Sequence, residues 1–296
     1  MRRWGIGLVA LAVLLTGSLA DPARAAGYAP ATVAFTFADD RINESSGVAA
    51  ASLTPGVIFT HNDSGDAARF FAVGSAGQTL AIYTVAGAGA IDWEEMARGP
   101  ASSGSGSSLY FADIGNNFRT RRVLTIYEVA EPVVVPGQDA TLPIAATRHL
   151  SYEDIPHDAE AFFVHPVTRE LVIVAKEVHG LSNVYVAQGT TLVRVATVPM
   201  PLAMTPGTTA ALVPLGEMEI TGGAINDAGT TIVLRTYVEA LEWRVSDSYA
   251  ATFAAAPARI ALPKTTQGEA ITYTPGGGLL TTTEGVRGPV HVLAPR

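Results

Sequence analysis

Glu44-Ser45-Ser46-Gly47 is the first of five similar four-residue motifs, and the repeat that they form predicts the fold. The other four are Asp92-Trp93-Glu94-Glu95, Asp158-Ala159-Glu160-Ala161, Glu219-Ile220-Thr221-Gly222 and Gln267-Gly268-Glu269-Ala270. The first position is acidic or an amide, and the third position is Glu or a hydroxyl residue. Successive third positions lie 48, 66, 61 and 48 residues apart. Self-similarity at such a period indicates a repeat fold, and each motif opens onto a short apolar strand, so each repeat is interpreted as one propeller blade.

The segments between the motifs predict an all-β, five-bladed β-propeller. They are apolar runs of four to eight residues, rich in Val, Ile, Thr, Phe and Tyr and separated by Gly, Pro and Asp turn signals. The last blade offers only three strands, Ala270–Thr274, Gly278–Thr283 and Val290–Leu293. We expect the N-terminal strand Ala31–Ala38 to supply the fourth strand and close the ring, as propellers do to protect their edges. A six-bladed ring is the competing count, and the chain has no sixth motif.

The N-terminus predicts export. Residues 1–25 begin Met1-Arg2-Arg3, continue with an apolar run and end Ala23-Arg24-Ala25, the pattern of a Sec-type signal peptide. Residues 26–30 are expected to be a flexible lead, and residues 31–296 a single propeller domain. No apolar stretch after residue 30 is long enough to span a membrane. The predicted product is secreted, either extracellular or associated with the cell envelope.

Composition excludes several classes of protein. Apolar residues make up 48% of the chain and charged residues 16%, which allows a sizeable core. The absence of cysteine excludes disulfides and thiolate metal sites. Removal of the predicted signal peptide takes away three Arg and one Asp, which leaves 16 basic and 26 acidic residues, a net charge of −10. This acidic balance argues against nucleic acid as a partner. We expect a monomer.

The third positions of the motifs predict a cation site. In a propeller the residues that precede each innermost strand surround one mouth of the central channel. Three carboxylates and two hydroxyls would therefore converge there, from Ser46, Glu94, Glu160, Thr221 and Glu269. Three ionised glutamates need a counter-charge, and calcium suits a flexible ring of oxygen ligands. Two alternatives stay open: the acidic residues cap strand ends without an ion, or Lys176 or Arg235 neutralises the ring. The first positions of the motifs are expected to make structural hydrogen bonds between blades.

A second group of polar residues follows the second strand of each blade and is expected at the same mouth. As ligand-binding residues it predicts Asn62, Asp63, Asp113, Asn117, Lys176, Arg235 and Glu284. Such a cleft could bind a small polar or anionic ligand beside a cation. The alternative is that the Asp- and Asn-rich loops are only tight turns. Asp63 and Asp113 are the candidate catalytic bases, and His61 could join Asp63 in proton transfer. The chain has no Gly-x-Ser-x-Gly nucleophile motif.

The motifs together resemble the SdiA-regulated propeller family of exported or membrane-anchored five-bladed proteins. The resemblance rests on Glu-Ser-Ser-Gly with His-Asn-Asp, Asp-Trp-Glu, Ala-Glu-Ala with Val-Ala-Lys-Glu, Ile-Thr-Gly, and Gln-Gly-Glu-Ala-Ile with Thr-Glu-Gly. More distantly, the order Ser, Glu, Glu, hydroxyl, Glu is similar to the calcium-activated nucleotidases (apyrases), whose ring holds a central calcium. That likeness implies calcium roles for the five third positions. It does not carry the activity across, because the Asp-Arg element of the first-blade loop is replaced here by residues 62–66.

Three hypotheses of function follow. The first is a secreted calcium-binding propeller that binds a small polar ligand or an envelope component at its mouth without catalysis. The second is a calcium-dependent hydrolase of phosphoesters or lactones, in which the ion polarises the substrate and activates water, Lys176 and Arg235 hold the anion, and Asp63 or Asp113 acts as base. The third is a protein-interaction platform with an empty channel.

Overall fold

The structure is a computed structural model that describes residues 27–177, 181–199 and 218–296. The predicted signal peptide lies outside the described residues. The described chain is all-β, as predicted, with a single six-residue helix. In chain order the elements are β1 (Thr32–Thr36), β2 (Ser45–Ala50), β3 (Ile58–Asn62), β4 (Arg69–Val73), β5 (Thr79–Ala86), β6 (Trp93–Pro100), β7 (Ser107–Asp113), β8 (Leu124–Ala130), β9 (Ala140–Pro143), β10 (Ala146–Tyr152), β11 (Ala159–Val164), β12 (Leu171–Ala175), β13 (Leu181–Gln188), β14 (Thr191–Pro199), β15 (Ile220–Ile225), β16 (Thr231–Thr236), β17 (Glu239–Arg244), α1 (Tyr249–Ala254), β18 (Ala258–Ala261), β19 (Gly268–Tyr273), β20 (Leu279–Thr283) and β21 (Pro289–Leu293).

The strands form five antiparallel four-stranded units. Their strand orders are β2-β3-β4-β5, β6-β7-β8-β10, β11-β12-β13-β14, β15-β16-β17-β18 and β19-β20-β21-β1. Strand β9 adds to the first unit by pairing parallel with β5. A short parallel pairing between β10 and β14 joins the second and third units into one eight-stranded sheet.

The first strands of the five units contact one another in a closed circuit. Strand β2 contacts β6, β6 contacts β11, β11 contacts β15, β15 contacts β19, and β19 returns to β2. Each unit therefore runs outward from a shared central axis. Because every first strand begins at one of the five motifs, the motifs gather at one end of this axis, which we call the mouth.

The N-terminal strand belongs to the last unit. Strand β1 pairs antiparallel with β21 through Thr32↔Val292 and Thr36↔Pro289. This pairing covers the edge of β21, which would otherwise expose unpaired backbone groups. The preceding segment, which the sequence predicts to be a flexible lead, makes hydrogen bonds to the rest of the chain. The backbone N–H of Ala29 donates to the carbonyl of Ala294 at 2.8 Å, and the Tyr28 hydroxyl donates to Glu242 at 2.7 Å. The first described residues thus continue along the C-terminal segment.

Apolar side chains fill the spaces between the units. Between the first two units, Trp93 stacks on Phe111 with ring centroids 4.8 Å apart, and Phe111 contacts Phe70 at 5.0 Å. All three are fully buried, and each such side chain contributes roughly 1.5–3 kcal/mol through removal from water. Trp93 therefore packs between the first and second units. No helix in the described ranges is long and apolar enough to cross a membrane.

Candidate functional site

A β-bulge lies at the third position of every motif. In β2 the pairing passes from Ser45↔Asn62 to Gly47↔His61 and leaves Ser46 out of the ladder. The same shift omits Glu94, Glu160 and Thr221 in their strands, and in β19 it falls between Gly268 and Ile271, which spans Glu269. A bulge re-aims the side chain of the extra residue. It is therefore the local device that gives the third positions a shared direction in all five units.

The three glutamates of the ring come together. Burial, and then the neighbouring carboxylate of Glu160, raise the pKa of Glu94 well above its usual value. The pKa of Glu160 is raised in the same way by burial and then by Glu269. Each of the three side chains is at least nine-tenths buried. The three carboxylates are therefore near enough to raise one another's pKa values.

The two hydroxyl members of the ring tie neighbouring first strands together. Ser46 Oγ donates to the backbone carbonyl of Glu94 at 2.6 Å, and Thr221 Oγ1 donates to the carbonyl of Gly268 at 2.9 Å. Both are hydrogen bonds between neighbouring units. Each hydroxyl proton is used in a hydrogen bond to a backbone carbonyl, whereas the hydroxyl oxygen keeps lone pairs that could bind an ion.

One basic side chain enters the ring. Lys176 Nζ forms an ion pair with Glu160, lies 3.7 Å from a carboxylate oxygen of Glu219 and 3.3 Å from the Tyr237 hydroxyl. A single ammonium compensates at most one of the three glutamates. Within the described residues, Glu160 Oε2 and Glu269 Oε2 are buried without a hydrogen-bond donor.

A second acidic group overlaps the ring at Glu94. One carboxylate oxygen from each of Asp63, Asp92 and Glu94 lies within 4.8 Å of the other two. Burial and then repulsion from Asp63 raise the pKa of Asp92 to about 6, and burial raises that of Asp63. These raised pKa values mean that the group contains more carboxylates than the nearby positive charges can neutralise.

Three residues predicted to bind ligand are used by the fold instead. The Asn62 amide accepts the backbone N–H groups of residues 43 and 44 at 3.2 Å and donates to the carbonyl of Arg41 at 2.7 Å. Asp113 is 1% exposed, and its carboxylate accepts hydrogen bonds from the Arg121 guanidinium at 2.7 Å and from the backbone N–H of Asp92 at 3.0 Å. These bonds remove Asp113 as a candidate base. The sequence pattern could not distinguish these local bonds from free polar groups.

Arg235 is the third of these corrections. Its guanidinium is 1% exposed and donates to the carbonyl of Thr282 at 3.1 Å and to the Thr281 hydroxyl. Burial lowers its pKa to about 10. A ligand at the mouth cannot reach it.

Of the remaining predicted ligand residues, Asp63, Asn117 and Glu284 keep solvent access, whereas the Lys176 ammonium is already paired with Glu160. Asp63 is partly exposed, Asn117 is exposed, and Lys176 borders the ring. Burial, and then repulsion from Glu269 and Asp63, raise the pKa of Glu284 to about 7. A polar ligand could therefore contact carboxylates, an amide and an ammonium together.

The first positions of the motifs play different roles. Asp158 Oδ1 accepts the backbone N–H of Asn116 at 2.7 Å, the predicted bond between units. Glu219 instead approaches Lys176 of the preceding unit. Asp92 departs from the prediction, because its carboxylate lies in the acidic group with Asp63 and accepts no hydrogen bond within the described chain.

His61 does not act beside Asp63. Its ring is fully buried against Trp93, with centroids 5.4 Å apart, and Nδ1 contacts the backbone carbonyl of Asn62 at 2.8 Å. Burial lowers the pKa of His61 to about 4, so the imidazole is neutral at physiological pH. The hypothesis of proton transfer between His61 and Asp63 is not supported.

Sequence reasoning missed Glu95, which sits inside the ring of first strands. Its carboxylate accepts the backbone N–H of Met96 at 3.0 Å, of Gly223 at 3.1 Å and of Val48 at 3.4 Å. These donors belong to β6, β15 and β2, so one side chain bridges three units below the mouth. The only signal in the sequence is an acidic residue at a position that is tiny in four of the five motifs.

Comparisons with known proteins concern the fold. No protein-family model matches the chain, and neither does any curated protein. Among solved structures, a glucose dehydrogenase matches with a TM-score of 0.50 at 11% identity, over 90% of this chain and 100% of its own. The major Malassezia sympodialis allergen Mala s 1 matches with a TM-score of 0.49 at 11% identity, over 88% and 94% of the two chains. A Trichoderma reesei carbohydrate-active enzyme of family AA12 gives 0.47 at 11% identity, over 93% and 98%. At 11% identity, the likeness to the glucose dehydrogenase shows a shared fold alone.

Proposed function

We propose that the chain is an exported five-bladed β-propeller that binds calcium on its axis and uses the charged mouth to hold a small polar ligand or an envelope component. The five four-stranded units, the closed circuit of their first strands and the β1–β21 pairing support the blade count. The N-terminal sequence pattern supports export. Membership of the SdiA-regulated propeller family is part of the same proposal and rests on the five motifs.

One observation carries the calcium assignment. Three glutamates, Glu94, Glu160 and Glu269, share a buried ring, and the ring contains one paired ammonium and two carboxylate oxygens without a donor. An ionised carboxylate in the interior is costly unless it is paired or coordinates a metal. A divalent hard cation would supply the missing charge, and calcium accepts an irregular set of carboxylate, hydroxyl and water oxygens. Ser46 and Thr221 would complete the set through their free lone pairs.

The mouth would recognise the ligand by charge and hydrogen bonding. Lys176 offers a cation, Asn117 an amide, and Asp63 and Glu284 offer acceptors around the ion. A ligand with both an oxygen donor for calcium and hydroxyl groups for the carboxylates fits this mixture. The corrected positions of Arg235 and Asp113 remove one cation and one base from the surface that the sequence predicts.

A calcium-dependent hydrolase is the second candidate, and the Asp63 and Glu284 carboxyls favour it. Both are half-buried beside the proposed ion, and the pKa of Glu284 is raised to about 7. A general base works best when its pKa lies near the operating pH. In this reading calcium would polarise a phosphoester or lactone, and Asp63 or Glu284 would take a proton from water.

The test begins with thermal melts of the mature protein after chelation, titrated with calcium and then with magnesium. A ligand that binds only the folded state raises the melting temperature by mass action. We expect a calcium-selective rise that is reduced in Glu160→Gln and Glu269→Gln and kept in full in Asp247→Asn, a matched change at an exposed acid. The absence of a rise in the wild-type protein would mean that the glutamates only link blades. A panel of phosphoesters and lactones with calcium present then separates the hydrolase from the binding protein.

A further inference from the structure

We propose a second, off-axis cation site formed by Asp63, Asp92 and Glu94 at the junction of the first and second units. Asp63 follows β3 in the first unit, whereas Asp92 and Glu94 flank the start of β6 in the second. The fold brings these two chain segments together at the mouth. Only Glu94 belongs to the axial ring of the proposed function, and the off-axis site stands without that ring.

The distances suit one coordination sphere. A carboxylate oxygen from each of the three residues lies within 4.8 Å of the other two. Calcium binds oxygen at about 2.3–2.6 Å, so two ligands on opposite sides of one ion are about 4.8 Å apart. The three oxygens are therefore close enough for small side-chain rotations to bring all of them onto a single ion. The donor set is purely carboxylate, which selects a hard divalent cation over zinc or copper.

The buried member of the group has no other partner. Glu94 is 3% exposed, and its carboxylate accepts no hydrogen bond from any described residue. The neighbouring Asp113 shows the contrast, because it is equally buried but accepts an arginine and two backbone N–H groups. The fold neutralises Asp113 from within the chain and leaves Glu94 aimed at Asp92 and Asp63. A cation that entered from outside the chain would supply the positive charge that the described residues do not give to Glu94.

Gly115 makes the close approach possible. A Cβ atom at this position would lie 2.1 Å from Glu94 Oε1 and 2.4 Å from Asp92 Oδ2. Any other residue would fill the space beside the two carboxylates and push them apart. The backbone N–H of Gly115 donates to the carbonyl of Asp92 at 3.2 Å, which holds the glycine against the acidic group.

The two cation sites would share Glu94, with one oxygen available to each. Asp63 and Asp92 are only half-buried, so the off-axis ion would keep coordination positions open toward the mouth. Water or an oxygen of a ligand would occupy those positions. The arrangement assigns Asp63 to a metal-ligand role, in place of the free base that the hydrolase hypothesis gives it.

Equilibrium dialysis with calcium alone tests the proposal on the mature chain. The axial site and the off-axis site predict two ions for the wild-type protein, and Asp247→Asn should also bind two. Asp92→Asn should lose one ion, or weaken it at least about tenfold, whereas Glu269→Gln should lose the other. If Glu269→Gln binds as the wild-type does and Asp92→Asn loses an ion, the off-axis site stands and the axial site fails. If Asp92→Asn binds calcium as the wild-type does, the off-axis site is refuted.

Trp93 provides an independent readout. Terbium(III) occupies calcium sites, and its luminescence is excited by a nearby tryptophan, here the buried Trp93 between Asp92 and Glu94. We expect sensitised emission from the wild-type protein and a large loss in Asp92→Asn and in Asp63→Asn. Both changes reduce repulsion in the acidic group, and the melting temperature of each chelated variant verifies that it folds. Unchanged emission and unchanged terbium affinity in both folded variants would also refute the proposal.

Discussion

Replacement of Gly115 by alanine should separate the stability of the fold from the binding of the cation. The added Cβ would meet the ends of the Asp92 and Glu94 side chains, which can rotate away when no ion is present. The melting temperature of the chelated variant should therefore stay close to that of the wild-type protein. The same rotation removes two ligand oxygens from the places that one ion needs.

The magnitude follows from mass action. At a calcium concentration 100 times the dissociation constant of the off-axis site, that site adds about 2.7 kcal/mol to the unfolding free energy of the wild-type protein. For a domain of this size that gain corresponds to a rise of about 5–10 °C in melting temperature. Disturbance of ligand positions lowers metal affinity about 10- to 100-fold. The contribution of the off-axis site in Gly115→Ala would then fall to about 0.4–1.4 kcal/mol, a rise of about 1–5 °C beyond that from the axial site.

The assay is a set of thermal melts with chelator and across a calcium titration, and the matched control is Gly276→Ala. An added Cβ at Gly276 meets nothing within 4 Å. The control should therefore show the full calcium-dependent rise, with a small gain in stability from the stiffer unfolded chain. If Gly115→Ala and Gly276→Ala respond to calcium equally, the space beside Gly115 has no role in binding. If Gly115→Ala instead lowers the unfolding free energy of the chelated protein by the full overpacking cost of about 1–3 kcal/mol, the Asp92 and Glu94 side chains are rigid without an ion and do not rotate away from the added methyl group.

Three further predictions concern the charges around the mouth. Glu95→Ala should lower the unfolding free energy measured in urea by about 2–4 kcal/mol, because three buried N–H groups on three strands lose their acceptor. The surface control Asp247→Ala should change it by less than about 0.5 kcal/mol, and an equally small change in Glu95→Ala would contradict the bridging role. Lys176→Gln should lower the melting temperature of the chelated protein, because Glu160 loses its ion pair. It should also raise calcium affinity about tenfold or more in dialysis, because the ammonium repels the ion. Weaker calcium binding would instead mean that Lys176 holds the ligand residues in place. In chelator, stability should fall as the pH rises from about 4 to about 7, because the raised pKa values of Asp92 and Glu284 let the folded protein hold protons that the unfolded chain has lost. The lowered pKa of His61 acts in the opposite direction, but the carboxyls outnumber it, so a chelated protein that is more stable at pH 8 than at pH 5 would refute this balance.

The third positions of the motifs and the loop residues differ in how far local sequence fixes their place. Glu94, Glu160 and Glu269 converge because each occupies the same bulge in an equivalent strand, and a repeat transmits equivalent positions to equivalent places. The loop residues Asn62 and Asp113 have no such constraint. Whether an Asn or Asp in a loop binds its own backbone or faces solvent depends on donors that arrive from elsewhere in the chain, such as Arg121 for Asp113.

The same limit explains the residues that were missed or misassigned. Asp92 holds the first position of its motif, where Asp158 makes a bond between units, yet the Asp92 carboxylate turns toward Asp63. Nothing in the local sequence distinguishes the two aspartates. Glu95 accepts donors from β2 and β15, which lie far from it along the chain, so its role exists only after the units assemble.

The sequence by itself determined the all-β character, the repeated unit and the gathering of acidic residues at one end of the molecule. Strand periodicity and turn residues are local properties of the sequence, so each unit forms its strands from its own residues. Tertiary structure decided which of the gathered charges are already satisfied. Lys176 reaches Glu160, Arg121 reaches Asp113 and buried Arg235 bonds to its own unit and the next, while Glu94, Asp92 and Asp63 receive no cation from the described chain. The reason is physical: a charge is compensated by whichever group lies within a few ångströms of it, and the distances between units are fixed only when the ring closes.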